Sequence, residues 1–350
     1  MILSNYIEEI ERADEKIACE ARKKWDSIAH PLSSLGVLEE IIAKIASCER
    51  KILPETEKKA VVVFCADNGI VEEGVTQTSA DVTAIVAENM CTKKTSVCKM
   101  AAVAGADVVA VDMGMKRKVF HTAMIDMSVR RGSSNFAKEN AMTGDEVLRA
   151  IENGEKVARE LCEKGYNLTA TGEMGIGNTT TSAAVVCAML GKRAEDVAGR
   201  GAGLTDAGLK RKIDVINRAL TERAWKKDDV ISILSAFGGF DIAGMCGFYL
   251  GMAKRKKCVL LDGFISQTAA LCAVKLAENV RDYLIATHES SEKGSKMVLN
   301  ELEMSGFIHA GLHLGEGTGA VCAFPMIEMA KKVYCEMATF DEISVEAYKR

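Results

Sequence analysis

The stretch NLTATGEMGIGNTTTSAA, residues 167–184, begins as an apolar and β-branched run, passes through three glycines, and continues as a helical pattern. The same progression recurs in AVVVFCADNG (60–69), ADVVAVDMG (106–114), KCVLLDG (257–263), YLIATHE (283–289) and FIHAGLHLGEG (307–317). These runs are continuously apolar rather than alternating, as strands covered on both faces must be. Helical patterns lie between them at 80–104, 144–164, 179–191, 206–223 and 266–279. Alternation of this kind predicts an α/β fold around a central, mostly parallel sheet. In such a sheet a ligand binds outside the carboxyl ends of the strands. The unusual polar residues all fall at that point of their units: Asp67, Asn68, Asp112, Glu173, Asp262, His288 and Glu316.

Composition narrows the function. The chain has 350 residues, 48% hydrophobic and 27% charged, with a formal net charge of −4, which describes an ordinary globular protein without a basic face. Nucleic-acid binding is therefore disfavoured, whereas a local phosphate site is not. No apolar run approaches the ~18 to 20 residues of a membrane span, and the charged helical start lacks a signal-peptide core, so a cytoplasmic protein away from membranes is expected. The 12 cysteines are scattered without any C-x-x-C pair, and Cys187, Cys246, Cys272 and Cys322 sit inside apolar patterns. They read as free thiols used as small hydrophobes in a reducing compartment. Metal-ligand spacing is absent, so neither a metal nor another cofactor is expected. Residues 1–50 and 326–350 read as helical parts of one small domain built from both chain ends, around a large α/β domain at 51–325.

Two stretches carry the chemistry. In 170–184, Gly175 and Gly177 permit tight turns, and Asn178 and Thr179 stand where a helix begins, so the free N–H groups there either form an anion site or are simply capped. No Lys-Ser/Thr pair follows the glycines, which excludes a Walker loop. GRGAGL (199–204), followed by Lys210, Arg211 and Lys212, suits a phosphate monoester, or is a flexible loop before a solvated basic helix. In LHLGEGTGA (312–320), Glu316 stands between glycines, where a flat ligand can approach the backbone closely. Covered by such a ligand, its pKa rises and it becomes a usable general base; alternatively it is a loop carboxylate accepting backbone N–H groups. His288 reads as either a structural hydrogen-bonding residue or a base. No G-x-S-x-G nucleophile elbow is present.

Taken together, CADNGIVEEGV, VTAIVAENM, GEMGIGNTTTSAA, GGFDIAGMCG, LLDGFISQTAAL, THESSEKG and LHLGEGTGA resemble, in this order, the nicotinate-nucleotide:dimethylbenzimidazole phosphoribosyltransferases, over about residues 30 to 330. The resemblance implies a Rossmann-like sheet, a homodimer, and transfer of 5-phosphoribose from nicotinate mononucleotide to an aromatic base. The product would be an α-ribotide for the nucleotide loop of cobamides. It also implies roles: Glu316 as general base and Glu173 as the second active-site acid. Gly175, Ile176, Gly177, Asn178, Thr179, Gly201 and Lys212 would hold the phosphate. Ser290, Gly315 and Asp262 would hold nicotinate and ribose, and Ser79, Thr83 and Val86 would form the acceptor pocket. Three departures stand out: HPLSSLG (30–36) in place of PPGSLG, Asn68 in place of a frequent His, and Val86 in place of a frequent Gln. Val86 makes the pocket more apolar or is a silent packing change, so dimethylbenzimidazole, benzimidazoles, purines and phenols all stay open as acceptors. A catalytically weak partner subunit of a heterodimer is a competing reading, opposed by the presence of both Glu173 and Glu316. A dinucleotide-dependent oxidoreductase would need an early G-x-G-x-x-G, which is missing.

Overall fold

The computed structural model describes residues 3–349; residues 1, 2 and 350, the outermost ends of the two expected helical parts, lie outside them. Among the described residues six strands form one sheet: β1 (Lys59–Ala66), β2 (Ala106–Gly114), β3 (Met124–Asp126), β4 (Leu168–Met174), β5 (Val259–Leu261) and β6 (Leu284–Ala286). Their order is β3-β2-β1-β4-β5-β6, and every pairing is parallel. All eight residues of β1 are buried, which is why its KAVVVFCA sequence shows no alternation. The sheet reverses its direction of growth between β1 and β4, and a crevice opens outside the strand ends at such a switch point. Among the described residues no helix is long and apolar enough to cross a membrane.

Two expectations need correction. Residues 307–317 do not form a strand; their ladder pairing is limited to one parallel bridge, between His288 and Ile308, beyond the end of β6. Gly311, Gly315, Glu316 and Gly317 have φ of 66°, 85°, 58° and 85°, and this left-handed backbone cannot continue a strand. The pattern at 80–104 is two helices, Asp81–Cys91 and Ser96–Val103, because the chain turns at Thr92–Thr95 with Lys93 at φ 58°. The short edge strand β3 has no counterpart among the expected runs.

The helix Phe240–Lys254 is buried on nearly every side, between the sheet and the amphipathic helix Gly144–Glu163. The latter starts with a capping box in which Thr143 and Glu146 satisfy each other's backbone N–H groups. The two helices approach so closely that a Cβ at Gly247 would collide with the Ile151 carbonyl, and one at Gly154 with the Gly244 carbonyl. This approach matters for the site, because the helix it fixes begins with Phe240-Asp241.

At the chain ends, helices Glu15–Ser27 and Val37–Glu49 pack on each other. Trp25 is buried there with its ring centroid 4.9 Å from that of Tyr334, and its Nε1 donates to the Glu39 carbonyl at 3.2 Å. Tyr334 belongs to the helix Thr318–Glu336, which runs through Pro325 and crosses the 325/326 boundary unbroken. The twelve cysteines are free; Cys187, Cys246 and Cys272 are buried, and Cys322 is half-buried.

Gly247→Ala is expected to destabilise the chain by about 1–3 kcal/mol, the usual range for overpacking a close contact. Urea unfolding read by circular dichroism measures it; an unchanged midpoint would mean the helix pair is loosely packed.

Candidate active site

The carboxyl ends of β4, β5 and β6, together with the 312–317 segment, enclose a cleft of about 270 Å³. Glu173 is the penultimate residue of β4 and Asp262 directly follows β5, so the adjacent strand ends bring both acids to the cleft. The third, Glu316, enters from the left-handed turn that precedes the helix Thr318–Glu336. At Gly315 a Cβ would lie 2.8 Å from Glu173 Oε1, so the glycine is needed for these two segments to meet.

Glu173 is deeply buried, and burial pushes its pKa from 4.5 up to about 8, with the Asp241, Asp262 and Glu316 charges adding to the rise. Asn178 opposes it: its Nδ2 donates to Glu173 Oε2 and also to Asp241 Oδ2, the latter at 3.3 Å. Asp241 is fully buried, and desolvation raises its pKa to about 6. One amide thus bridges two carboxylates that resist simultaneous ionisation. Burial also raises Glu316 above the ordinary carboxylate range, opposed by the Val97 backbone and reinforced by the Asp262 charge. Its Oε2 is buried without a hydrogen-bond partner among the described residues. A half-buried carboxylate with raised basicity and one unpartnered oxygen, lining a cleft, is suited to taking a proton.

Asp262 is differently placed. Its Oδ2 accepts from Gly317 N at 3.2 Å, and its Oδ1 from Gly319 N at 2.9 Å and Ala320 N at 3.2 Å.

At the far end of the cleft a helix start, a glycine loop and a buried lysine come together. The helix Asn178–Leu190 starts after Gly177 at φ 93°, and its first residues face the loop at Gly201, φ 54°. Thr179 Oγ1 accepts from Lys212 Nζ at 2.9 Å, and the same ammonium donates to the Gly199 carbonyl at 3.1 Å. Lys212 is completely buried, and desolvation lowers its pKa to about 8. An anion at the helix start would gain from the N–H groups and from this ammonium behind them. Glu292 stands at the same end, against Gly199, whereas Ser290 stands beside Gly263. Toward the mouth, Val86, Leu312 and Leu314 give an apolar wall.

A family model described as "Phosphoribosyltransferase" matches residues 10–345. A nicotinate-nucleotide–dimethylbenzimidazole phosphoribosyltransferase of Clostridium acetobutylicum is 40% identical over 349 residues, covering 100% of this chain and 99% of that protein. One from Acetivibrio thermocellus is 42% identical, over 94% of this chain and 93% of the relative. The crystal structure of CobT from Thermus thermophilus superposes with a TM-score of 0.90 at 35% identity, covering 95% of this chain and 99% of that one. The chain belongs to the nicotinate-nucleotide–dimethylbenzimidazole phosphoribosyltransferase family.

In this phosphoribosyltransferase the cleft is lined by Glu316, Glu173, Gly175, Ile176, Asn178, Thr179, Gly201, Ser290, Gly315, Asp262 and Val86. Gly177 lines an adjoining chamber of about 90 Å³ under residues 75–78 and 200–204. Other expected site residues stand away from the cleft surface. Lys212 lies behind Thr179. Thr83 is fully buried and accepts from Ile176 N at 3.1 Å, so it shapes the glycine turn. Ser79 is exposed and is not part of the cleft wall. Asp112 is tied to Gly114 N, Met115 N and Arg131, and Asp67 to Lys116 N, so these acids brace the β2 end instead. Asp241 was not among the expected site residues. Its signal was an acid in GGFDIAGMCG, after two glycines and at the start of an apolar helix.

The shift of Glu173 has a consequence for stability. Between its ordinary 4.5 and about 8 the folded chain holds a proton that the unfolded chain has lost, so this contribution falls as pH rises. Glu173→Gln should therefore gain stability relative to the parent chain between about pH 5 and pH 8, by at most about 1.4 kcal/mol per pH unit. Urea unfolding of both proteins across that range tests it; parallel curves would show that Glu173 titrates normally.

Proposed function

We propose that this chain transfers 5-phosphoribose from nicotinate mononucleotide to a planar aromatic base, dimethylbenzimidazole or a close relative. The reaction releases nicotinate and forms the α-ribotide used in cobamide nucleotide-loop assembly. The observation that carries this reading is the pairing, in one cleft, of a basic carboxylate at Glu316 with an anion cradle at Thr179 and Gly201. The phosphate would sit at the cradle, the nicotinate and ribose beside Glu173 and Ser290, and the acceptor against Glu316, Val86 and Leu314.

The chemistry follows from the charges. Nicotinate bound through its ring nitrogen is a pyridinium; the ribose C–N bond breaks with its electron pair going to that nitrogen, which becomes neutral, so the leaving group needs no general acid. The ribose carbon passes through an oxocarbenium-like state, as in glycoside chemistry. The pyridinium ring of the donor draws Glu173 toward its ionised form, and that carboxylate then stabilises the developing charge in a low-dielectric cleft. Glu316 takes the azole proton as the new C–N bond forms. The apolar Val86 offers no hydrogen bond to the acceptor, which keeps a phenol in contention. The protein works as a cytoplasmic homodimer in this proposal, and light scattering on the purified chain checks the dimer.

The decisive experiment incubates the purified chain with nicotinate mononucleotide and a mixture of dimethylbenzimidazole, benzimidazole, adenine and p-cresol, with products read by mass spectrometry. An α-ribotide is expected, its mass naming the preferred acceptor. No product from a folded, donor-binding chain would favour the partner-subunit reading. Glu316→Gln should retain donor affinity while lowering transfer at least about 100-fold, within the range for general-base catalysis. Near-normal transfer would remove Glu316 from that role.

A further inference from the structure

The geometry points to Asp262 as the positioning residue of Glu316: its carboxylate clamps the left-handed turn that aims the base into the cleft, rather than binding the donor. This inference rests on the proposed function, in which Glu316 is the base.

Asp262 is fixed from both sides. Its own backbone N donates to Ser266 Oγ at 3.2 Å, and its carbonyl accepts from Gln267 Nε2 at 3.0 Å. Gln267 is held in turn by the Ser295 hydroxyl, which donates to its Oε1 at 2.7 Å. The side chain therefore projects from a rigid strand end, with 3% of the residue exposed. Both carboxylate oxygens are engaged. Oδ1 takes the N–H groups of Gly319 and Ala320, in the first turn of the helix Thr318–Glu336, and Oδ2 takes that of Gly317. A helix start normally receives its cap from the residue just before it. Here that residue is Gly317, which has no side chain, and the cap comes instead from a strand 55 residues earlier in sequence.

The clamp bears directly on Glu316. Its φ of 58° is a conformation that side-chain-bearing residues avoid, and it lies between two glycines at φ 85°. Thr318 closes this turn locally, its N and Oγ1 donating to the Gly315 carbonyl at 3.0 and 2.8 Å, but these bonds do not tie the turn to the sheet. It persists because Gly317 N is anchored on one side and Gly172 closes the other, where a Cβ would collide with the Glu316 carbonyl. The packing of His288 against Gly319 holds the helix start in the same place. With three N–H groups already bound, Asp262 has little capacity left for ribose hydroxyls. Its charge is also one of the causes of the raised basicity of Glu316.

Asp262→Asn is the discriminating variant, because an amide has one acceptor oxygen and cannot satisfy both sides of the clamp. Transfer by the variant should show a kcat lowered about 10- to 100-fold, with the donor KM within about twofold of the parent, as for a misplaced catalytic group. Amide exchange at Gly317, Gly319 and Ala320 should rise by a similar factor while exchange in β1 and β4 is unchanged. Asp262→Ser, which retains a single capping oxygen, gives the same split and serves if the asparagine variant does not fold. A donor KM raised tenfold with kcat preserved would make Asp262 a donor-binding residue and overturn the proposal, as would unchanged kcat and exchange. If the parent chain forms no ribotide, the functional reading fails, but the exchange measurement still decides the clamp.

Discussion

Three hydrogen bonds to one carboxylate join the sheet to the last long helix. Asp262 stands at the end of a three-residue strand, and the helix it caps carries Tyr334 back to Trp25 in the N-terminal helices. The cleft, the turn bearing Glu316 and the packing of the chain ends therefore share one anchor. A carboxylate suits this task because it offers two oxygens to N–H groups on either side of a turn, and charge-assisted bonds of this kind are the stronger ones.

Around that anchor the cleft concentrates acids that a stable core would avoid. Glu173, Asp241 and Asp262 are buried near one another, and Glu316 is close enough to influence them. Burying several carboxylates together is unfavourable unless some hold protons or accept hydrogen bonds. The chain uses both remedies, with the Asn178 amide between Glu173 and Asp241, and backbone N–H groups around Asp262. What remains is Glu316, whose Oε2 has no partner among the described residues and whose backbone is strained. An unsatisfied, strained acid at the centre of a cleft is a poor stabilising element and a good reagent.

The opposite end follows the same logic with the sign reversed. Lys212 is a buried cation whose hydrogen bonds go to Thr179 and Gly199, leaving its charge behind the loop where an anion would sit. It strengthens that site without extending into it. Thr83 acts similarly through Ile176 N, which explains why two residues expected at the surface of the cleft lie in its supporting layer.

Much of this was legible in the residues. The apolar runs at 60–69, 106–114 and 167–177 announced parallel strands because burial on both faces leaves no room for alternation. Glu173 and Glu316 were conspicuous because an acid among glycines beside an apolar run has no local reason to be there. The 307–317 run misled, since apolar content near β6 suggested a strand, while the φ of Gly311, Gly315 and Gly317 is a property of the folded backbone. Asp241 was not expected at the site and Asp262 was placed there as a ligand-holding residue, because neither sequence position carries its partners with it. The sequence by itself determined the layered α/β architecture and the family, and drew attention to two acids that line the cleft, since these depend on composition, periodicity and short-range order. Only the tertiary structure decided which acid has both oxygens held by backbone N–H groups and which keeps an oxygen unpartnered among the described residues. That distinction depends on hydrogen-bond partners 55 or more residues apart, which meet when the strand ends converge.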